Sequence, residues 1–233
     1  NGRRGALMIS IDCTHPDLEK FIKVKSDLDK VTSANISVRV SDNFMEAVCA
    51  DLDWELSFTR KETGETISKT VKAVDIFNQL CENNWNYAEP GILFWDNIES
   101  WNLLSNDSEF HYAGTNPCAE EPLPAGGSCL LGAMNLAEFV TDDGKFDWND
   151  FNNAVSIAVV ALNEVLDEGI EKHPLQEQRD SVRDWRQIGL AIMGLADMLI
   201  KMGIRYGSDE SIKLCDKIGK HLAQAALIAS SEL

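Results

Sequence analysis

Residues 6–40 read ALMISIDCTHPDLEKFIKVKSDLDKVTSANISVRV, and the change of period along them decides the fold. Residues 6–12 (ALMISID) form a short apolar run of strand length. Thr14 then reads as a helix N-cap, with Pro16 early in the helix and Asp17 and Glu19 near its positive end. Leu18, Phe21, Ile22 and Lys25 continue that helix to about residue 25. Residues 35–40 (NISVRV) return to alternation, so the passage is strand, helix, strand.

The same grammar continues outward. Ser41 or Asp42 caps a helix carrying Phe44, Met45 and Val48. Residues 54–60 and 67–72 flank Glu62-Thr63-Gly64-Glu65, a hairpin with a turn glycine and a peripheral look. Val74, Phe77, Leu80 and Cys81 recur at helical spacing until Pro90-Gly91, and residues 92–95 form a short apolar strand. Periodicity vanishes from residue 106 to 127. A buried strand resumes over 129–136, Asp147 opens a long helix, a helix rich in Gly and Ala is expected over about 186–202, and a last helix starts at Ser208. Strands alternating with helices predict an α/β fold, with one domain covering residues 1–233.

Composition sets the limits. With 44% hydrophobic residues in 233, the chain can bury a core. Thirty-eight acidic residues against 21 basic ones give a net charge of −17, which repels a phosphate backbone and argues against nucleic-acid binding. No run of eighteen apolar residues exists, so no membrane span is expected. Asn1-Gly2-Arg3-Arg4 leads straight into a strand, unlike a signal peptide. A soluble, cytoplasmic protein is the expectation.

The six cysteines, at 13, 49, 81, 118, 129 and 215, form no C-x-x-C pair and no paired-His pattern, so no metal site is expected. Cys49, Cys81 and Cys215 fall in helical segments and read as small buried hydrophobes. Cys118 differs, because it follows Asn116-Pro117 and precedes Glu120 inside the long irregular stretch, and such stretches in compact domains tend to be functional. Were the chain extended there, Asn116, Cys118 and Glu120 would face one side, presenting an amide, a sulfur and a carboxylate to one ligand.

Asn116-Pro117-Cys118-Ala119-Glu120 resembles the finger-loop motif of ribonucleotide reductases. Gly127-Ser128-Cys129-Leu130-Leu131-Gly132-Ala133-Met134-Asn135-Leu136 is similar to a strand of that family. Arg3-Arg4-Gly5-Ala6, His15-Pro16-Asp17-Leu18, Asn35-Ile36-Ser37-Val38, Arg186-Gln187-Ile188-Gly189-Leu190 and Gly194-Leu195-Ala196 also resemble family segments, in family order. The resemblance implies part of a ten-stranded α/β barrel around a central finger loop. It implies that a thiyl radical on Cys118 abstracts the 3′ hydrogen of a ribose, that Glu120 takes the 3′-hydroxyl proton, and that Asn116 binds sugar hydroxyls. Cys129 matches one of the two cysteines that supply reducing equivalents and close into a disulfide. Arg3, Arg4 and Gly5 match the end of the loop that couples the allosteric effector to the substrate.

By the same resemblance, the partners are a ribonucleotide substrate, a nucleotide effector, a thioredoxin-like reductant and a second copy in a homodimer. The second redox cysteine is expected upstream of residue 1 and the phosphate site beyond residue 233. These 233 residues alone are therefore expected to be inactive. The step of eleven positions from Cys118 to Cys129 resembles the class that uses adenosylcobalamin; the alternative is a radical delivered by a separate metal-containing small subunit. Two other readings stay open: a related glycyl-radical barrel enzyme, and a split or non-catalytic reductase piece acting only in an assembly. Outside the motif residues, His15 is expected to help cap its helix, and Trp95, Trp101, Trp148 and Trp185 to pack.

Overall fold

The computed structural model describes residues 5–233. The chain is mixed α/β and divides into two compact units, Asn1–Pro124 and Ala125–Leu233.

In the first unit, β1 (Met8–Asp12), β2 (Asn35–Val40) and β5 (Gly91–Phe94) form a parallel sheet with β2 in the middle. Ile11 pairs with Val38, and Val38 with Ile92. Alternation along β2 sorts its side chains by face. Val38 and Val40 join a core with Leu18 and Ile22 of α1 (Leu18–Ile22), Phe44 of α2 (Asp42–Cys49), and Ile76 and Leu80 of α3 (Ala73–Tyr87). Asn35, Ser37 and Arg39 fall on the opposite face, in register with Met8, Ser10 and Asp12 of β1. That second face is polar, unlike the apolar two-sided strands of a sheet packed by helices on both sides.

The first helix differs from expectation. Asp12 Oδ1 accepts from the Thr14 amide at 3.0 Å and from its hydroxyl at 2.7 Å, so Thr14 is held in an Asx turn and caps nothing. The helix starts later, at Leu18, and stops at Ile22; a 3-10 turn, Val24–Ser26, follows. His15 does not cap the helix either: its Nδ1 accepts at 3.1 Å from the amide of Asp17, the residue ahead of the first helical one, and no side chain caps this helix. Ser41 caps α2 by accepting from the Phe44 amide at 3.2 Å.

The hairpin of β3 (Asp53–Thr59) and β4 (Thr66–Lys72) turns through Gly64 at φ +71°. Its outer face is exposed, yet it is less peripheral than expected. Leu56 is fully buried, and Trp54 donates from Nε1 to the Cys13 carbonyl at 2.9 Å. After β5 come α4 (Trp95–Ser100) and then a small antiparallel pair, β6 (Tyr112–Thr115) with β7 (Pro122–Pro124). The aperiodic stretch is thus a short hairpin, paired too briefly to show a period.

In the second unit, β8 (Leu130–Asn135) pairs in parallel with β9 (Ile188–Met193). A long helix, α5 (Trp148–Ile170), is capped by Asp147, whose carboxylate accepts from the Asn149 and Asp150 amides. It packs beside α8 (Asp209–Glu232), capped in turn by Ser208. Phe139, Phe146, Phe151, Val155, Met198 and Ile218 form the core.

The helix expected over 186–202 is a correction: it is two elements, β9 and α7 (Leu195–Met202), separated by Gly194 at φ +71°. Strand pairing with β8 overrides the helix-friendly Ala and Leu content. The polar α6 (Gln176–Trp185) has only Val182 and Trp185 as apolar residues, too few to show a helical period in the sequence. Cys49 and Cys81 are exposed and Cys215 half-buried, against the expectation that all three are buried; Cys13 is the buried thiol, and burial pushes its pKa up. Trp148 stacks on His221 at 4.5 Å and Trp95 lies under the Arg39 guanidinium at 4.9 Å, whereas Trp101 is exposed. Among the described residues, no helix is long and apolar enough to cross a membrane.

Candidate functional site

The loop between β6 and β7 is a closed turn rather than an extended run. Thr115 pairs with Pro122, and the six residues between them carry the motif. Asn116 organises the turn at both ends. Its carbonyl accepts from the Ala119 amide at 3.0 Å, which makes Pro117 and Cys118 the two central residues of a β-turn. Its backbone amide donates to the Glu121 carbonyl at 3.3 Å, and its side-chain Oδ1 accepts from the Glu121 amide at 3.0 Å. Pro117 suits the first central position because its ring presets φ.

Ala119 completes the bend in the left-handed region, at φ +69°. A non-glycine residue there costs about 1–2 kcal/mol, so the surrounding hydrogen bonds must over-determine it. The alternation of an extended chain therefore does not apply to Asn116, Cys118 and Glu120. Cys118 and Glu120 are both exposed, Asn116 is half-buried, and its amide oxygen already serves the turn. Its NH2 end is the part it can offer to a hydroxyl.

The loop is also tied to the parallel sheet. Asn35, the first residue of β2, donates from Nδ2 to the Pro117 carbonyl at 2.9 Å. Sequence reasoning singled out Asn35-Ile36-Ser37-Val38 and gave Asn35 no role; the signal was present in the motif, but the contact joins residues 82 positions apart. At the root of the loop, Thr115 Oγ1 is buried without a hydrogen-bond partner among the described residues.

Cys129 belongs to the second unit, half-buried immediately before β8. The amide of Leu130, which follows it, donates to the Gln187 carbonyl at 3.2 Å, so the entry to β8 is held by the entry to β9. Gly132 brings α5 close: a Cβ there would meet both methyls of Leu162 at 3.4 Å. Arg186, from a second motif, has a structural role. It ends α6 at φ +45° and donates to Asn163 Oδ1 at 3.1 Å and to Asp167 Oδ1 at 2.7 Å, and its guanidinium holds the Asp167 carboxyl below the usual range.

Arg3 and Arg4 lie outside the described residues. Gly5 is exposed, with open space where a side chain would be. No group of three or more His, Cys, Asp or Glu side chains placed to hold a metal occurs among the described residues.

The family model for the ribonucleotide reductase barrel domain matches residues 1–233. The vitamin B12-dependent ribonucleoside-diphosphate reductase of Thermoplasma acidophilum is 36% identical over 232 residues, covering 99% of this chain and 29% of that protein. The protein of the same description from Mycobacterium tuberculosis is 33% identical over 232 residues, again 99% of this chain and 32% of the relative. The vitamin B12-dependent ribonucleotide reductase of Streptomyces coelicolor is 32% identical over 258 residues, 26% of its length. The chain thus spans about a third or less of the curated relatives it matches.

Proposed function

The chain belongs to the ribonucleotide reductase barrel-domain family, and from that premise we propose that it carries the radical centre of an enzyme reducing ribonucleotides to deoxyribonucleotides. The observation that carries the reading is the turn between β6 and β7, which presents an exposed Cys118 two residues from an exposed Glu120 on a backbone locked by Asn116.

On this reading the Cys118 thiyl radical takes the 3′ hydrogen of the bound ribose and becomes a thiol. Glu120 accepts the 3′-hydroxyl proton, and the amide NH2 of Asn116 holds the sugar hydroxyls. The 2′-hydroxyl leaves as water after taking a proton from the redox dithiol. That pair, of which Cys129 is one member, gives up its second proton and two electrons, so that C2′ gains a hydrogen in place of the lost hydroxyl, the 3′ oxygen regains its proton from Glu120, and a disulfide is left. Cys118 returns its hydrogen to C3′ and is a radical again. A thioredoxin-like reductant reopens the disulfide, and a nucleotide effector acts through Arg3, Arg4 and Gly5. The enzyme works as a cytoplasmic homodimer that binds neither nucleic acid nor membrane, and residues 1–233 act as one part of its barrel.

The cofactor is adenosylcobalamin, which the names of the relatives support. When bound it would supply radical chemistry, and Cys118 is the side chain whose thiol would give up its hydrogen. What the described residues offer it is access: Cys118 is exposed at the tip of its loop. A separate metal-containing small subunit is the second reading for the radical source.

The test uses the full-length protein. Cys118→Ser abolishes turnover, while Cys129→Ser stops after limited product because the reducing pair cannot form. Multiple turnover by the Cys118 variant overturns the assignment. Wild-type turnover that needs a metal subunit and ignores adenosylcobalamin overturns the cofactor.

A further inference from the structure

We infer that Asn35 is a positioning residue for the finger loop, setting the direction of the Cys118 side chain through the peptide that precedes it. The inference rests on the proposed role of Cys118, and it starts from the chemistry of Pro117. The peptide that joins Pro117 to Cys118 carries two polar groups, the Pro117 carbonyl and the Cys118 N–H, and the carbonyl is the handle that an outside donor can hold. Asn35 takes that handle, donating from Nδ2 at 2.9 Å.

The anchor belongs to the sheet. The Asn35 amide donates to the Leu7 carbonyl at 2.8 Å, and Asn35 is in register with Met8, so its backbone is part of the parallel sheet. The turn's own hydrogen bonds run from Asn116 to Ala119 and Glu121 and close the loop on itself. Asn35 is what ties it to the sheet from outside. Holding the Pro117 carbonyl fixes the plane of the peptide from which the Cys118 Cα–Cβ bond departs. A thiyl sulfur must meet one particular hydrogen of a ribose, and misplacement by about 1 Å can cost up to about 10²-fold in rate.

Asn35→Asp is the discriminating change, because it preserves size and replaces the donor with an oxygen facing the Pro117 carbonyl. In the full-length holoenzyme it lowers kcat about tenfold and leaves the substrate KM within about twofold, since the contact orients the sulfur and binds no substrate. Without cofactor or substrate, the same variant raises the rate of Cys118 alkylation by iodoacetamide severalfold, read by peptide mass spectrometry, while Cys129 alkylation is unchanged. Asn35→Gln keeps the amide donor and reverses part of both changes. An Asn35→Asp protein with wild-type kcat and wild-type Cys118 alkylation overturns the inference, as does equal damage by Asp and Gln. If Asn35→Asp does not fold, the Gln variant is compared with Asn35→Ser, whose hydroxyl is too short to reach; identical behaviour of those two overturns it as well. Turnover by Cys118→Ser would instead sink the proposed chemistry, while the alkylation comparison would still report the contact.

Discussion

Glu120 stands one residue beyond the left-handed Ala119, exposed and clear of the turn's hydrogen bonds. A carboxylate so placed can swing toward a sugar hydroxyl without breaking the turn, as a proton acceptor requires. Glu120→Gln keeps the shape and removes the base. It should lower kcat by about 10²-fold or more, since positioned acid–base groups contribute roughly 10²–10⁴. A stopped-flow or product assay on the full-length enzyme checks this; loss of less than about threefold would remove Glu120 from the chemistry. At this scale the sequence was legible in identity and not in geometry. Asn-Pro-Cys-x-Glu could be recognised from residue types alone, but whether its residues point one way depends on φ at Ala119, and nothing in an alanine announces a left-handed backbone. The tie to Asn35 was invisible for the same reason that any hydrogen bond spanning 82 positions is.

Among the elements, β9 and α7 were read as one helix. Their composition is ambiguous, and the boundary between them is enforced by a neighbour. Gly194 sits at φ +71°, and a Cβ on it would come within 2.1 Å of Asn135 Oδ1, which accepts from the Ala137 amide at 3.4 Å at the end of β8. Two segments recognised separately in the sequence, Met134-Asn135-Leu136 and Gly194-Leu195-Ala196, therefore touch. Gly194→Ala combines a backbone penalty with a collision and should cost at least about 2 kcal/mol. Urea unfolding of the variant measures it; an unchanged midpoint would mean that the junction yields freely. Where the period was long or a cap was explicit, as with Asp147 before α5 and Ser208 before α8, the elements were read correctly. Where a strand was short, as in β6 and β7, or a helix nearly all polar, as in α6 with Val182 and Trp185 its only apolar residues, there was no repeating apolar pattern to read.

For the molecule as a whole, acidity is the dominant number: a net charge of −17. Several carboxylates are held below their usual range by hydrogen-bonded cations, namely Glu19 by Lys69, Asp143 by Lys145, Asp167 by Arg186 and Glu168 by Lys172. Their charged forms are favoured in the folded state, so the folded chain takes up protons less readily than the unfolded one. The stability they contribute is present above the ordinary values of 3.8 for Asp and 4.5 for Glu and fades as pH falls through the lowered ones. Each pair is largely solvent-exposed and individually weak. Their sum should lower Tm between pH 5 and pH 3, by less in about 1 M salt, where screening is strong. A Tm that rises over that interval would mean that relief of self-repulsion among the acidic groups outweighs the lost pairs.

The two faces of β2 answer to different judges. Val38 and Val40 look into the apolar core, and exchange among aliphatic residues there is a matter of volume and shape. Asn35, Ser37 and Arg39 look the other way, Asn35 holding the loop and Arg39 stacking on Trp95. In a lineage drifting under mutation, one set of alternate positions would be filtered by whether the chain folds. The interleaved set would be filtered by whether the folded chain still works. A single six-residue strand thus keeps two records of selection, written on alternate residues.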